Sequence, residues 1–176
     1  MFLSKLHTVK AFILDIDGVL TDATVHVTET GDQLRRFNIR DGYAIQHAIK
    51  QGFHVCAISG GRSESVLLRL KSLGLTDIHL GIDKKAGVYN SILQKYSLSA
   101  PEVLYMGDDI PDIPPMKLAG VSACPADAAE EVKAISTYIS PKEGGSGCVR
   151  DVIEKVMKMQ NKWFENDPSA LDGLIK

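Results

Sequence analysis

The feature that most constrains the fold of this chain is an alternation of short apolar runs with stretches of helical spacing. The apolar runs are continuous instead of alternating with polar residues, which is typical of strands covered on both faces of a sheet. Strands that alternate with helices predict a parallel sheet with right-handed crossovers, and therefore an α/β fold. The six predicted strands are residues 9–14, 55–58, 78–80, 103–106, 121–123 and 138–139.

Helical periodicity accounts for most of the segments between these strands. In one of them Val66, Leu67, Leu70 and Leu73 form a single apolar stripe, and Gly74 follows as a plausible C-cap. The five predicted helices are residues 41–51, 63–73, 85–96, 110–119 and 126–135.

An insertion of about residues 22–38 interrupts the alternation directly after the first strand. Residues 24–28 and 33–37 alternate apolar with polar positions, and residues 29–32 between them contain a glycine. Two alternating runs around such a turn predict a β-hairpin.

The length and composition predict one cytoplasmic domain that spans residues 1–176, with a weakly ordered tail at about 164–176. The net charge of -2 supplies no basic field for nucleic acid or a membrane surface. No apolar run is long enough to span a bilayer. The 3 cysteines lie far apart, which argues against a disulfide framework or a zinc site and favours a reducing compartment.

Polar and acidic residues follow four of the predicted strands. The carboxyl ends of parallel strands meet at one edge of the sheet, where ligands bind in open α/β folds. An isolated acidic pair at a strand end is often only part of a turn or a helix cap. Four polar groups, each after its own strand, instead favour a ligand-binding or catalytic site. They are Asp15, Asp17 and Gly18, then Ser59, Gly60 and Gly61, then Asp83, Lys84 and Lys85, then Gly107, Asp108, Asp109 and Asp112.

This set of side chains indicates phosphoryl transfer. Carboxylates close together raise one another's pKa unless a cation neutralises them, and oxygen ligands without histidine or cysteine select Mg²⁺. A metal, a lysine and a hydroxyl suit the charge of a phosphoryl group. One aspartate can act as a covalent nucleophile and a second one as an acid and base.

The same residues resemble the four motifs of the haloacid dehalogenase superfamily of phosphatases. The motifs are residues 15–22, residues 59–60, Lys85 and residues 107–112. The hairpin, residues 37–43 and residues 142–150 resemble more narrowly the 3-deoxy-manno-octulosonate 8-phosphate phosphatase family, whose members are tetrameric and have no large cap domain. The resemblance covers residues 9–160 and implies a Rossmann-like three-layer sandwich with a central parallel sheet.

The resemblance implies roles for the residues at the strand ends. Asp15 resembles the nucleophile that forms an aspartyl-phosphate, and Asp108 resembles a Mg²⁺ carboxylate; Asp15 also ligates the metal. Asp17 resembles the general acid/base, which contacts substrate and gives its backbone carbonyl to Mg²⁺. Ser59 and Gly60 match the motif that hydrogen-bonds the phosphoryl group.

Two adjacent lysines compete for the remaining motif position. Counting without gaps from Gly74 and back from Gly107 places Lys85 there, where it would neutralise the nucleophile and the phosphate. Lys84 is the alternative, and its structural interpretation is a solvated charge at a helix start.

A substrate-binding role is implied for the segment 38–42 and for one helix position. This segment matches the family's sugar-acid-binding loop, and an arginine within it suits a carboxylate or a phosphate. Arg69 matches a family arginine, although a surface charge explains it equally well from the helix pattern. The residues of the loop are Asn38, Arg40, Asp41 and Gly42.

Gly61 departs from the family pattern. Many relatives carry an arginine at that position, and relatives that act on nine-carbon acids carry a glutamate. The sequence therefore leaves open which sugar acid is bound.

The function implied is a Mg²⁺-dependent phosphomonoester hydrolase of a 3-deoxy-ulosonic acid phosphate in lipopolysaccharide sugar biosynthesis, with 3-deoxy-D-manno-octulosonate 8-phosphate as the first candidate. The alternatives are a phosphatase of a nine-carbon sialic-acid-like 9-phosphate, and a non-catalytic module that keeps the fold. A phosphotransferase or mutase is a further alternative, but such relatives commonly carry a cap domain, and no insertion here is long enough for one. The resemblance also implies a homotetramer assembled through the hairpins, in which a neighbour covers each site.

Overall fold

The computed structural model describes residues 2–164, and it contains eight strands and seven α-helices in that part of the chain. The strands are β1 (Ala11–Leu14), β2 (His26–Val27), β3 (Gln33–Leu34), β4 (His54–Ser59), β5 (Asp77–Leu80), β6 (Val103–Met106), β7 (Val121–Cys124) and β8 (Tyr138–Ile139). The helices are α1 (Phe2–Lys5), α2 (Ile39–Lys50), α3 (Glu64–Ser72), α4 (Lys85–Tyr96), α5 (Ile113–Leu118), α6 (Glu130–Ile135) and α7 (Cys148–Met159).

Six strands form a parallel sheet in the order β5-β4-β1-β6-β7-β8, which confirms the predicted α/β fold. The central strand β1 pairs with β4 and β6, and Leu14 lies opposite Ala57 and Met106. All four residues of β1 are buried, as its continuous apolar run predicts. The residues that follow β1, β4 and β6 therefore emerge at the same edge of the sheet.

Helices cover both faces of the sheet and complete three layers. Successive side chains of a strand point to opposite faces. Phe12 belongs to the core beside α2, α3 and α7, whereas Ile13 belongs to the core beside α4, α5 and α6. The two cores together hold the carboxyl end of β1 in a fixed place.

Several elements differ from the sequence prediction. The hairpin is present, but β2 and β3 pair over only two residues each. Helix α2 begins at Ile39, two residues early, because the Asn38 side chain caps it. The segment predicted as a helix from residue 126 is helical only over Glu130–Ile135. Helix α7 was not among the predicted helices, although Val149, Val152 and Val156 have helical spacing.

The predicted tail lies outside the described residues except for its first position. In the described part of the chain, no helix combines the length and the apolar character that crossing a membrane requires.

Candidate active site

A tight turn directly after β1 places Asp15 at the edge of the sheet. The Asp15 N–H donates to the Met106 carbonyl at 2.9 Å, which extends the pairing with β6 by one residue. Gly18 then has a φ of +92°, a conformation that favours glycine. A Cβ on Gly18 would lie 2.0 Å from Asp108 Oδ2, so the turn also needs glycine for space. The turn thus brings the carboxylate of Asp108 against the backbone that follows Asp15.

Lys85, the first residue of α4, joins two carboxylates. Its Nζ lies 2.8 Å from Asp15 Oδ1 and 2.8 Å from Asp112 Oδ1. The Lys85 side chain is 5% exposed, so the ion pairs lie almost entirely out of water. Lys84 is exposed at the N-cap of the helix. The geometry therefore favours Lys85 as the lysine of the site.

Asp112 organises the residues around it. Its Oδ1 also accepts a hydrogen bond from the Tyr105 hydroxyl at 2.8 Å, and its Oδ2 accepts one from the Asp108 N–H at 3.2 Å. These bonds hold Lys85 and Asp108 in place from behind. Sequence reasoning noted Asp112 at the strand end without a role and missed Tyr105, because a tyrosine inside a buried strand is typical of core packing.

Three carboxylates crowd one point of this site. Ligand oxygens of Asp15, Asp108 and Asp112 all lie within 4.8 Å of one another. Burial and then the charge of Asp112 raise the pKa of Asp15 to about 6, against the opposing effect of Lys85. Burial and then Asp15 and Asp112 raise the pKa of Asp108 to about 8. Burial lowers the pKa of Lys85, but the two adjacent carboxylates outweigh it and the pKa lies above its ordinary value.

The donor set fits a hard divalent cation. Asp108 Oδ1 is buried and has no hydrogen-bond partner among the described residues, so one carboxylate oxygen remains free for a ligand. A buried carboxylate without a partner is unfavourable unless a cation compensates it. Oxygen ligands alone select Mg²⁺ over softer metals.

A cavity of about 510 Å³ opens over this cluster and collects the predicted catalytic residues. The Asp17 carboxylate lies on its wall and accepts hydrogen bonds from Arg35. The Ser59 side chain is buried, and its Oγ accepts a hydrogen bond from the Gly61 N–H at 3.0 Å. The predicted site residues that line the cavity are Asp15, Asp17, Ser59, Gly60, Lys85 and Asp108.

Two residues of the predicted sugar-acid loop line a different cavity. Asn38 and Arg40 border a space of about 860 Å³ together with Lys142 and Arg150. The lining residues of this basic cavity and of the acidic cavity do not overlap. Within one chain, Arg40 is therefore not part of the acidic cavity.

The other predicted substrate residues make contacts between helices. Asp41 is buried and accepts hydrogen bonds from the N–H groups of Gly147 at 3.2 Å and Arg150 at 2.7 Å, at the start of α7. A Cβ on Gly42 would lie 2.9 Å from Arg69 Nη2, so the guanidinium packs on α2. Neither Asp41, Gly42 nor Arg69 lines the acidic cavity, and their role toward substrate stays a prediction.

Comparison with known proteins identifies similar chains. A family model of haloacid dehalogenase-like hydrolases matches residues 74–153. The 3-deoxy-D-manno-octulosonate 8-phosphate phosphatase KdsC of Escherichia coli (strain K12) is 33% identical over 163 residues, which cover 93% of this chain and 87% of that protein.

Two solved structures are also similar over most of their length. The 3-deoxy-D-manno-octulosonate 8-phosphate phosphatase from Yersinia pestis has a TM-score of 0.90 at 31% identity, covering 92% of this chain and 88% of that one. The second structure is the enzyme of that name from Moraxella catarrhalis, in complex with a magnesium ion, a phosphate ion and a KDO molecule. It has a TM-score of 0.89 at 30% identity, covering 99% of this chain and 98% of that one. The similarity therefore spans nearly the whole described fold.

Proposed function

Since the chain belongs to the 3-deoxy-D-manno-octulosonate 8-phosphate phosphatase family of haloacid dehalogenase-like hydrolases, we propose that it hydrolyses 3-deoxy-D-manno-octulosonate 8-phosphate with Mg²⁺. The protein is a phosphatase. The observation that carries the proposal is the contact of Lys85 with both Asp15 and Asp112 beside the free oxygen of Asp108. This arrangement places a nucleophile (Asp15), a positively charged side chain (Lys85) and a metal ligand (Asp108) at one edge of the sheet.

Asp15 is the nucleophile in this proposal. Its pKa of about 6 leaves the carboxylate largely ionised at neutral pH, and Lys85 holds Oδ1 in place. An oxygen of Asp15 attacks phosphorus, a phosphoaspartate forms, and the bond to the sugar oxygen breaks. The positive charge of Lys85 offsets the charge that gathers on the phosphoryl oxygens.

Asp17 and Ser59 complete the reaction. Asp17 donates a proton to the leaving sugar oxygen and then takes one from the water that hydrolyses the phosphoaspartate. The Ser59 hydroxyl lies on the same cavity and hydrogen-bonds the phosphoryl oxygens. Both side chains thus act on one phosphoryl group from different strand ends.

The carboxylates of Asp15 and Asp108 and the backbone carbonyl of Asp17 would hold Mg²⁺. When bound, the ion neutralises the carboxylates and polarises the phosphoryl group. Asp112 is less suited to be a ligand, because Lys85, Tyr105 and the Asp108 N–H already occupy its oxygens.

We further propose that the chain forms a homotetramer through its hairpins. Val27 is 69% exposed and Leu34 is 53% exposed on a ribbon of only two strands. A two-stranded ribbon is marginally stable alone, and its open edges favour pairing with another chain. In such an assembly the basic cavity with Arg40 would cover the acidic cavity of a neighbour and take the sugar acid carboxylate.

A cytoplasmic location completes the proposal. The three cysteines of the chain are free and buried, which fits a reducing compartment. Cell fractionation with detection of the tagged chain tests this location.

The decisive experiment measures phosphate release from a panel of sugar-acid phosphates with and without Mg²⁺. We expect the highest kcat/KM on 3-deoxy-D-manno-octulosonate 8-phosphate and loss of turnover when the metal is chelated. Faster turnover of a nine-carbon 9-phosphate would instead assign the alternative substrate that Gly61 leaves open.

The variant Asp15→Asn serves as the control for the mechanism. It keeps the shape of the side chain but removes the nucleophile, so we expect kcat to fall by at least about 10³-fold. Full turnover by Asp15→Asn in the presence of Mg²⁺ would rule out the aspartyl-phosphate route.

A further inference from the structure

An ion pair connects the inserted hairpin to Asp17. Arg35 directly follows β3, and its Nε lies 2.6 Å from Asp17 Oδ1. Its Nη2 lies 3.5 Å from Asp17 Oδ2, so the guanidinium faces both carboxylate oxygens. The Arg35 side chain is 7% exposed, whereas Asp17 is 36% exposed. The arginine is therefore the fixed partner, and the aspartate is the group that it holds.

Gly61 lies beside the pair that Arg35 forms with Asp17. A Cβ on Gly61 would lie 3.1 Å from Asp17 Oδ2, a tight approach, but 3.5 Å from Ser59 Oγ and 3.7 Å from Arg35 Nη2, which are ordinary contacts. Gly61 does not have a positive φ, so the backbone conformation does not require glycine there. The missing side chain therefore leaves room for the Asp17 carboxylate in the orientation in which Arg35 binds it.

An exposed carboxylate such as Asp17 needs a partner if it is to keep one orientation. Without one it would change rotamers freely, and a misplacement of about 1 Å can cost about 10²-fold in rate. Two hydrogen bonds from a planar guanidinium restrict that motion. An ion pair with Arg35 needs Asp17 as a carboxylate, which is also the form that the residue has after it has protonated the leaving group.

We propose that Arg35 is a positioning residue that holds the Asp17 carboxylate for the second half of the reaction, and that Gly61 leaves room for the carboxylate in that orientation. In that step a water oxygen attacks the phosphorus of the phosphoaspartate and its proton passes to Asp17. The bond from phosphorus to the Asp15 oxygen breaks, and the electron pair returns to the Asp15 carboxylate. The inference rests on the proposed function, because it assumes that Asp17 is the acid/base.

The test separates the two halves of the reaction with 4-nitrophenyl phosphate and Mg²⁺. The leaving group of this substrate needs no proton, so rapid mixing measures nitrophenol release, and acid quenching measures the loss of phosphoaspartate. For Arg35→Gln we expect nitrophenol release within about 3-fold of wild type and phosphoaspartate hydrolysis slower by about 10- to 100-fold.

Lys10→Gln is the matched control. Lys10 directly precedes β1, its side chain is 66% exposed, and it pairs with Glu102 away from both cavities. We expect both rate constants of Lys10→Gln to stay within about 2-fold of wild type, as is usual for an exposed ion pair. Equal slowing of hydrolysis in both variants would overturn the inference, because the contact with Asp17 would then not be the cause.

Variants of Asp17 separate this inference from the proposed function. If Asp17→Asn hydrolyses the phosphoaspartate at the wild-type rate, the acid/base role of Asp17 itself fails. If Asp17→Asn is slow while Arg35→Gln is not, only the role of Arg35 fails. In the Asp17→Asn background we expect Arg35→Gln to add less than about 2-fold, and a fully additive loss would exclude action through Asp17.

Arg35→Lys keeps the experiment decisive if Arg35→Gln does not fold. A lysine retains the charge but not the planar fork, so we expect it to recover only part of the hydrolysis rate. Full recovery by lysine would show that charge alone is needed and would overturn the positioning role. Urea denaturation of each variant checks that the hairpin is still anchored.

Discussion

Asp112 accepts hydrogen bonds from Lys85, Tyr105 and the backbone N–H of Asp108. These bonds hold the Lys85 ammonium and the Asp108 carboxylate beside the proposed nucleophile, Asp15. Gly18 contributes by its lack of a side chain, since Asp108 occupies the space where a Cβ would be. None of these supporting contacts requires a group to react. At the scale of single residues, the site therefore depends on Asp112, Tyr105 and Gly18, for which the proposed reaction has no bond to make or break.

The first prediction concerns Gly18→Ala. A φ of +92° and a Cβ 2.0 Å from Asp108 Oδ2 both oppose the substitution. We expect the free energy of unfolding in urea to fall by about 1–3 kcal/mol and the Mg²⁺-dependent activity to fall at least about 10-fold.

Gly87→Ala is the control for this substitution. Gly87 lies within α4, its φ is not positive, and a Cβ there would meet no atom within 4 Å. We expect it to stabilise the protein by about 0.5–1 kcal/mol, because alanine favours helix more than glycine does. Wild-type stability and activity in Gly18→Ala would contradict the close approach of Asp108.

The second prediction concerns Mg²⁺ and pH. The pKa values of Asp15 and Asp108 rise from 3.8 to about 6 and about 8, so the folded metal-free protein binds protons more tightly than the unfolded chain. Stability from these groups is present below about pH 4 and is lost as pH rises through 6 and then 8. Mg²⁺ replaces those protons, so we expect it to raise the Tm more at pH 8 than at pH 6.

Asp108→Asn is the control in this measurement. It removes the carboxylate with the free oxygen, and we expect the increase in Tm to become small at both pH values. An increase of the same size at pH 6 and pH 8 in the wild type would show that protons and the metal do not compete at this cluster.

At the scale of elements, the sheet positions the catalytic groups and the helices support one another through their ends. The carboxylate of Asp41 on α2 accepts from two N–H groups at the start of α7, where orphan donors and the helix dipole favour a negative charge. Burial raises the pKa of Asp41, while the N–H groups of Arg150 and Gly147 oppose that rise. The residue thus joins two helices that pack on the same face of the sheet.

The third prediction is that Asp41→Ala affects stability more than catalysis. Losing a buried carboxylate that satisfies two helix N–H groups should lower the free energy of unfolding by about 1–3 kcal/mol, with KM within about 3-fold of wild type. Urea denaturation and steady-state kinetics measure both quantities.

The comparison variant is Ser63→Ala, which removes the N-cap of α3 and one hydrogen bond of 3.4 Å. We expect it to cost about 0.5–1 kcal/mol. If KM of Asp41→Ala instead rises by about 10-fold or more at unchanged stability, the variant has lost ground-state binding of the substrate. That outcome would support the substrate-binding role that the sequence predicted.

At the scale of the whole molecule, the two cavities and the hairpin are the features on which the proposed tetramer depends. The acidic cavity holds the proposed chemistry, and the basic cavity holds Asn38 and Arg40 from the predicted sugar-acid loop. No residue borders both of these cavities. In the proposed assembly the two cavities that act on one substrate come from different chains, and the exposed apolar ribbon is the contact between those chains.

The fourth prediction is that Val27→Lys together with Leu34→Lys dissociates the proposed tetramer. The two charges would remove the apolar surface of the ribbon and repel the neighbouring chain. We expect a smaller species in sedimentation and a kcat/KM on the sugar-acid phosphate lower by about 10-fold or more, because Arg40 of the neighbour is lost.

Leu68→Lys is the control, since Leu68 lies on α3 and is 58% exposed outside the hairpin. It should leave both the assembly and the activity unchanged. A monomeric hairpin variant with full activity would contradict a site shared between chains.

Local patterns in the sequence were sufficient for the parallel sheet and for Asp15, Asp17, Ser59 and Asp108 at its edge. Apolar runs, turn glycines and strand-end motifs are short-range signals, and parallel topology then brings distant strand ends together. The sheet and fold class were confirmed in this way, and the chain belongs to the family that these motifs resemble.

Tertiary structure alone decided which side chains meet. Counting along the motifs favours Lys85 over Lys84, but the two differ by a helix rotation of about 100°, and only packing shows that Lys85 Nζ contacts Asp15. Arg35 reaches Asp17, and Asp41 reaches α7, across gaps of 18 and 106 to 109 residues. The sequence by itself carries no local signal for such contacts, because they depend on where the chain returns in space.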